Sequence, residues 1–143
     1  GRASAGETAP DVEMVDFDGE LVTLSEYAGT PVVLNFWASW CPFCIAEMPD
    51  FERVSQATTG RVAFIGVNLQ DDAGLAKSLA GETGVTYRLT RDPQGVVYAA
   101  FGGIGMPTTV FVDASGIVRE VVTGQMSETQ LRSKIAEYFS VDV

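Results

Sequence analysis

The chain has 143 residues, 46% hydrophobic and 20% charged, which suits one domain with a proper core and excludes a disordered polyelectrolyte. Nineteen acidic against nine basic side chains give a net charge of −10, which argues against nucleic acid and anionic membrane as partners. No apolar run approaches the roughly twenty residues needed to span a bilayer.

Residues 1–8 are small and polar and read as a disordered remnant of a processed or truncated N-terminus, which a signal peptide or membrane anchor would have preceded. Residues 11–15 and 20–23 flank Asp16-Phe17-Asp18-Gly19, and Asp-Gly between alternating runs signals a hairpin. Residues 25–29 read as a helical turn stopped by glycine, with Tyr27 packing. Residues 32–38 are almost continuously apolar, the pattern of a central strand covered on both faces. Asn35 interrupts that run as a buried amide bonded to its neighbours.

A helix is expected over residues 42–58, with Ile45, Met48, Phe51 and Val54 as its apolar stripe and Pro49 as a kink. Cys41-Pro42-Phe43-Cys44 opens it. Two cysteines separated by two residues, at the start of a helix that follows a strand, have the arrangement of a redox dithiol. The helix N-terminus favours a thiolate at Cys41, and the thiolate is the attacking species in disulfide exchange. Cys41 is therefore expected to be exposed and Cys44 shielded. The residues leave three other readings open. A structural disulfide closing so small a ring gains only about 2 kcal/mol, against about 3 for a fifteen-residue loop. A zinc site normally needs four ligands, and the chain has no histidine and no further cysteine. Inert buried thiols sit poorly with Pro42 and the helix-start position. On spacing alone Glu47 is an ordinary solvated helix glutamate.

Residues 61–69 read as a second buried strand, and Asp71-Asp72 as the cap of a helix over 73–82 that Gly84 ends. A short strand over 85–90 and a short helix over 93–101 follow. This alternation favours parallel pairing with a right-handed crossover. Residues 102–107 form a flexible loop closing on Met106-Pro107, which composition alone makes a trans turn. Residues 108–113 and 117–123 alternate around Ala114-Ser115-Gly116 as an antiparallel hairpin. Ser127 and Gln130 make a capping-box start for a helix over 128–138, with Leu131, Ile135 and Phe139 inward.

Trp40-Cys41-x-x-Cys44 after Asn35-Phe36-Trp37-Ala38-Ser39 resembles the thioredoxin superfamily. Cys41, Cys44, Glu47 and Pro49 together resemble the TlpA/ResA/DsbE branch of extracytoplasmic thiol-disulfide oxidoreductases. Gly105-Met106-Pro107-Thr108-Thr109 and the hairpin after it are similar to that branch's cis-proline loop, and the likeness runs from about residue 7 to 139.

The resemblance implies one thioredoxin-like (redoxin) domain over residues 1–143: an α/β thioredoxin fold, a central mixed sheet flanked by helices, with an N-terminal β-hairpin and a βα insertion. It implies an enzyme exchanging disulfides with protein thiols or disulfides through Cys41 and Cys44, with Glu47 titrating beside them. Trp40, Pro42, Phe43, Met106 and a cis Pro107 would meet the substrate. Asn35 stands where many thioredoxins hold a proton-moving aspartate, and an amide cannot titrate. No cofactor beyond the redox disulfide and no metal are expected. A monomer with a membrane redox partner, outside the cytoplasm, is the implied setting. The Pro-Phe dipeptide carries no donor side chain and an ionised Glu47 opposes a thiolate, so a reductant is expected, for example in cytochrome c maturation. The alternatives are an oxidant of secreted proteins, a thiol peroxidase or a copper carrier.

Overall fold

The computed structural model describes residues 3–143. Its elements are β1 (Glu13–Asp16), β2 (Leu21–Thr23), a 3-10 turn (Leu24–Tyr27), β3 (Val32–Trp37), α1 (Pro42–Ala57), β4 (Ala63–Leu69), α2 (Ala73–Thr83), β5 (Arg88–Asp92), α3 (Val96–Ala100), β6 (Thr108–Val112), β7 (Val118–Thr123) and α4 (Glu128–Phe139). The strands form one mixed sheet in the order β2-β1-β5-β4-β3-β6-β7. β3, β4 and β5 run parallel, while β6 is antiparallel to β3 and β1 to β5.

The apolar run at β3 makes it the centre. All six of its residues are buried. Alternation sends Val32, Leu34 and Phe36 to one face, where they pack with Phe101, Val110 and Val118. Val33 and Trp37 point to the other face, among Phe51, Phe111, Leu131 and Ile135 or beside the cysteines. Asn35 lies between them on that second face, paired in register with Gly66 on β4 and Thr109 on β6.

α1 covers the second face. Its buried residues are Cys44, Glu47, Met48, Phe51 and Val54, the three-and-four spacing of one helical face. Ile45, which the apolar stripe included, is only partly buried, and Glu47 takes the inward place instead. The helix continues through Pro49 to Ala57. Phe51, wholly buried, packs edge-on to Phe64, so Phe51→Ala would cost about 3–5 kcal/mol. Arg53 Nε donates to Glu128 Oε1 at 2.7 Å and ties α1 to α4.

Gly1 and Arg2 lie outside the described residues, and residues 3–8 are paired rather than disordered. Ala3 is buried and its N–H donates to Ala100 O at 2.8 Å. Gly6 N donates to Val118 O, Val118 N to Glu7 O, and Thr8 bridges Ile117. The segment pairs with the start of β7, whose outer side would otherwise be an open sheet edge. The strand expected over 85–90 lies at Arg88–Asp92. The helix after it shrinks to Val96–Ala100, because Gly95 caps it in a left-handed conformation and the Asp92 carboxylate accepts from Val97 N and Tyr98 N. The loop before β6, expected to be flexible, is tied down: Tyr98 Oη and Thr108 Oγ1 both donate to Gly105 O, at 2.8 and 2.6 Å.

Candidate active site

β3 delivers its chain through Ala38-Ser39-Trp40 to Cys41, which is the N-cap of α1, with Pro42 at the first helical position. An N-cap leaves the first N–H groups of the helix free to meet an acceptor, and here the acceptor is sulfur. Cys44 N–H donates to Cys41 Sγ at 3.2 Å. The two cysteines are joined as a disulfide. Cys44 is wholly buried, as expected. Cys41 is not the exposed residue the sequence suggested: only 5% of it is accessible. It packs in a cluster with Cys44, Trp37, Ala38 and Met48, against which Met106 is also partly buried.

The rim around the pair is open and apolar. Trp40 and Phe43 are each more than half exposed, and Pro42 is exposed. Trp40 Nε1 donates to Gln70 O at 3.3 Å. Ser39 is held by Asp71, whose carboxylate accepts from Ser39 N and Ser39 Oγ, both at 2.6 Å, and from Asn68 Nδ2 at 3.0 Å. Burial pushes the Asp71 carboxyl up, but these donors outweigh it and hold it below the ordinary carboxylate value. The sequence offered Asp71 and Asp72 as equal helix caps. Only Asp72 caps α2, accepting from Leu75 N, while Asp71 braces the approach to Cys41.

On the other flank the Met106–Pro107 peptide bond is cis. Pro107 is buried and its carbonyl accepts from Gly124 N at 2.8 Å. Among the described residues the Met106 N–H and C=O make no protein hydrogen bond.

One helical turn along α1 from Cys44 lies a buried polar cluster. Glu47 follows Cys44 by three residues on the same helical face and is wholly buried, so it is no solvated helix glutamate. Its Oε1 accepts from Asn35 Nδ2 at 2.9 Å and its Oε2 from Met126 N at 3.1 Å. Asn35 Nδ2 also reaches Thr109 Oγ1 at 3.3 Å. Burial pushes the Glu47 carboxyl up from 4.5 to about 7, a rise to which Asp50 adds and which the bonds from Met126 and Asn35 partly offset. Sequence reading had Asn35 and Glu47 separately but did not join them. Nothing in the sequence pointed to Met126, which contributes only a backbone N–H.

No group of three or more metal-ligating side chains is gathered among the described residues. A cavity lined by Pro10, Leu24, Tyr27 and Val112 lies at the opposite end of β3, near Val32, away from the sulfurs.

The arrangement is a dithiol–disulfide couple at a helix N-terminus, rimmed by apolar side chains, with a buried carboxyl pushed up to about 7 one turn further along the helix. Comparison with known proteins agrees. The Redoxin family model matches residues 4–139. The chain is 31% identical over 133 residues to the thiol-disulfide oxidoreductase ResA of Geobacillus thermodenitrificans, covering 92% of this chain and 76% of that protein. It is 32% identical over 131 residues to the soluble secreted antigen MPT53 of Mycobacterium tuberculosis, covering 90% and 72%. Its fold superposes on a secreted Mycobacterium tuberculosis disulfide oxidoreductase homologous to DsbE with a TM-score of 0.81 at 29% identity, over 89% of this chain and 96% of that one.

Proposed function

The chain belongs to the Redoxin family and is a thiol-disulfide oxidoreductase of thioredoxin fold carrying a Cys41–Cys44 disulfide, and on that footing we propose that it works as a reductant of protein disulfides. The observation that carries this reading is Glu47, a buried carboxyl one helical turn beyond Cys44. When ionised it opposes a standing thiolate nearby but can take the proton that Cys44 must lose; when protonated it can return that proton to a leaving thiolate.

In the reduced protein Cys41 thiolate attacks one sulfur of the substrate disulfide. A mixed disulfide forms, and the other substrate sulfur leaves as a thiolate and takes a proton from water. Cys44 passes its proton to Glu47 and attacks Cys41 Sγ. The Cys41–Cys44 disulfide closes and the second substrate sulfur leaves as a thiolate, which takes back the proton that Glu47 received from Cys44. Two electrons pass to the substrate, and no group beyond the two sulfurs carries them. The unpaired Met106 N–H and C=O support a role in pairing with an extended substrate strand beside the cysteines. Trp40, Pro42 and Phe43 would form the rim it crosses.

The electrons would come from a membrane redox partner, with the protein acting as a monomer outside the cytoplasm, as the naming of MPT53 as secreted supports. Among the described residues no helix is long and apolar enough to cross a membrane. Cytochrome c maturation is one setting that needs such a reductant. A second reading, an oxidant of secreted proteins, draws support from the Cys44 N–H bond to Cys41 Sγ, which stabilises a thiolate and so the reduced form.

The test mixes the reduced protein with a disulfide-bonded peptide and, separately, the oxidised protein with the same peptide as a dithiol, and follows both to equilibrium at pH 7. A reductant drives the first mixture toward peptide dithiol. An equilibrium lying with the peptide disulfide in both mixtures sinks that reading in favour of the oxidant.

A further inference from the structure

The peptide unit that joins Gly105 to Met106 is held at one end and free at the other. Its carbonyl, Gly105 O, accepts from Tyr98 Oη at 2.8 Å and from Thr108 Oγ1 at 2.6 Å. Its N–H belongs to Met106 and makes no hydrogen bond among the described residues. The unit is trans; the cis bond is the next one, Met106–Pro107. In a planar trans unit the C=O and the N–H point in opposite directions. Fixing Gly105 O on two hydroxyls therefore fixes the direction of Met106 N–H, away from Tyr98 and Thr108.

The two hydroxyls come from different places. Thr108 opens β6, so its hydroxyl is local, three residues from the carbonyl it meets. Tyr98 belongs to α3 and is set in place by contacts outside the loop. The Asp92 carboxylate accepts from Tyr98 N at 2.8 Å. The Tyr98 ring stands edge-on to Phe36 of β3, with centroids 5.4 Å apart. Gly103 N donates to Tyr98 O at 2.9 Å, so the loop folds back on this residue. The ring covers Gly103 so closely that a Cβ there would overlap it, and a Cβ on Gly105 would stand 2.9 Å from the Thr123 methyl. Two glycines thus let the loop pass close to Tyr98 and Thr123, and bring the carbonyl within reach of the tyrosine hydroxyl.

We propose that Tyr98 is a positioning residue for the substrate: its hydroxyl aims and strengthens Met106 N–H as the donor that meets a carbonyl of the client strand. The inference rests on the exchange reading above, in which Met106 pairs with that strand. Linked hydrogen bonds polarise one another, so a carbonyl that accepts two O–H bonds makes the N–H of the same peptide unit a stronger donor. A loop already held in one geometry also loses less freedom when the client binds. Met106 packs against the cluster that holds Cys41 and Cys44, so a strand bonded to Met106 lies beside the disulfide. α3 itself packs on the other face of the sheet, with Val97 and Phe101 in the core around Phe36. Tyr98 therefore acts on the client through the Gly105 carbonyl and not by touching it.

The test compares two disulfides with the same leaving thiol. One is a short cysteine peptide as its mixed disulfide with mercaptoethanol; the other is hydroxyethyl disulfide, which has no backbone to pair. In Tyr98→Phe the ring stays over Gly103 and the hydroxyl is gone. The rate of the reduced protein on the peptide, divided by its rate on hydroxyethyl disulfide, should fall about three- to tenfold, the worth of one hydrogen bond. Thr108→Val should lower the same ratio. Tyr27→Phe, which removes a tyrosine hydroxyl bonded to Arg88, should leave it at the wild-type value. In proton–nitrogen correlation spectra of the oxidised protein, the Met106 amide proton should move upfield in Tyr98→Phe and stay in place in Tyr27→Phe. A wild-type ratio in Tyr98→Phe, or a Met106 amide that does not move, overturns the positioning role and leaves the exchange reading standing. A wild-type protein that reduces neither disulfide overturns both.

Discussion

The Asn35 carboxamide donates to Glu47 Oε1 across 2.9 Å, so the one polar residue of the central strand is spent on the one buried carboxyl of the helix above it. That pair sets a pH dependence. The Glu47 carboxyl is raised from 4.5 to about 7 in the folded oxidised protein, chiefly by burial. The folded state thus holds a proton that the unfolded chain releases between those values, so stability falls as pH rises from about 4.5 to about 7 and is level beyond. The loss is on the order of 3 kcal/mol. Glu47→Gln should flatten this slope in guanidinium unfolding of the oxidised protein at pH 5 and pH 8. The gain at pH 8 should be smaller than the full loss, because the Gln carboxamide has one oxygen to meet the two donors Met126 N and Asn35 Nδ2. A slope unchanged in the variant would assign the pH dependence elsewhere.

Asn35→Asp puts a second carboxyl within hydrogen-bonding distance of the first. Two such groups share one proton, since both cannot ionise at that separation. Near pH 5 the variant should match the wild type within about 1 kcal/mol, and near pH 8 it should lose several kcal/mol, because the unfolded chain ionises both groups freely. Equal destabilisation at the two pH values would mean the aspartate simply packs badly.

How this pair escaped sequence reading is physical. Residues 35 and 47 lie in different elements, and which helical residue faces which strand residue is decided by the register of α1 on the sheet. Spacing alone made Glu47 a solvated helix glutamate and counted Ile45 in the inward stripe, and only packing shows Glu47 displacing it. The resemblance to the TlpA branch supplied what spacing could not. Local signals read well: Ser127 and Gln130 do form the capping box of α4, and the Asp-Gly turn does close β1 on β2. Long-range bonds did not. Asp71 holding Ser39 spans 32 residues, and the pairing of residues 3–8 with β7 spans more than a hundred. Neither leaves a periodicity to detect.

Cys41 is the residue that should react first in the reduced protein. It is the only one of the pair with any accessible surface, and the Cys44 N–H bond to Cys41 Sγ favours its thiolate. Limiting iodoacetamide near neutral pH should label Cys41 well ahead of Cys44, read by mass spectrometry of peptides. The 5% exposure makes alkylation of the native protein slower than that of the unfolded chain, so the ratio between the sites carries the result.

Asp71→Asn tests the brace on Ser39. The carboxylate takes Ser39 N, Ser39 Oγ, Asn68 Nδ2 and Asp72 N, and an amide offers only one oxygen to them. The cost should be about 1–3 kcal/mol. Because the donors hold the Asp71 carboxyl below its unfolded value, its stabilising effect is present near neutrality and lost as pH falls through the folded value, so the variant should be less sensitive to acid. Emission from Trp40, next along the chain and bonded to Gln70 O, should shift if the brace positions the rim. A stability loss with identical emission and identical exchange rates would leave Asp71 a structural residue only.

The reduction potential separates the two directions of exchange. A strong oxidant of this kind owes its potential to a stabilised reduced form, and stabilisation comes from groups that hold a thiolate. One such group is in place, the Cys44 N–H on Cys41 Sγ. No histidine exists in the chain, and no lysine or arginine stands among residues 37–52. Against the thiolate stands Glu47, wholly buried on the Cys44 face of α1 and half ionised near pH 7. The like charge weakens the dithiol's ionised form and leaves the disulfide relatively favoured. Equilibration against glutathione buffers should therefore give a midpoint nearer the thioredoxin value of about −270 mV than the DsbA value of about −120 mV, a gap worth about 7 kcal/mol. Glu47→Gln should move the midpoint toward the oxidising side, and more at pH 8 than at pH 6, since only the ionised carboxyl repels a thiolate. A wild-type midpoint above about −180 mV would establish the oxidant instead, and a Glu47→Gln midpoint that tracks the wild type at both pH values would remove the carboxyl from the argument.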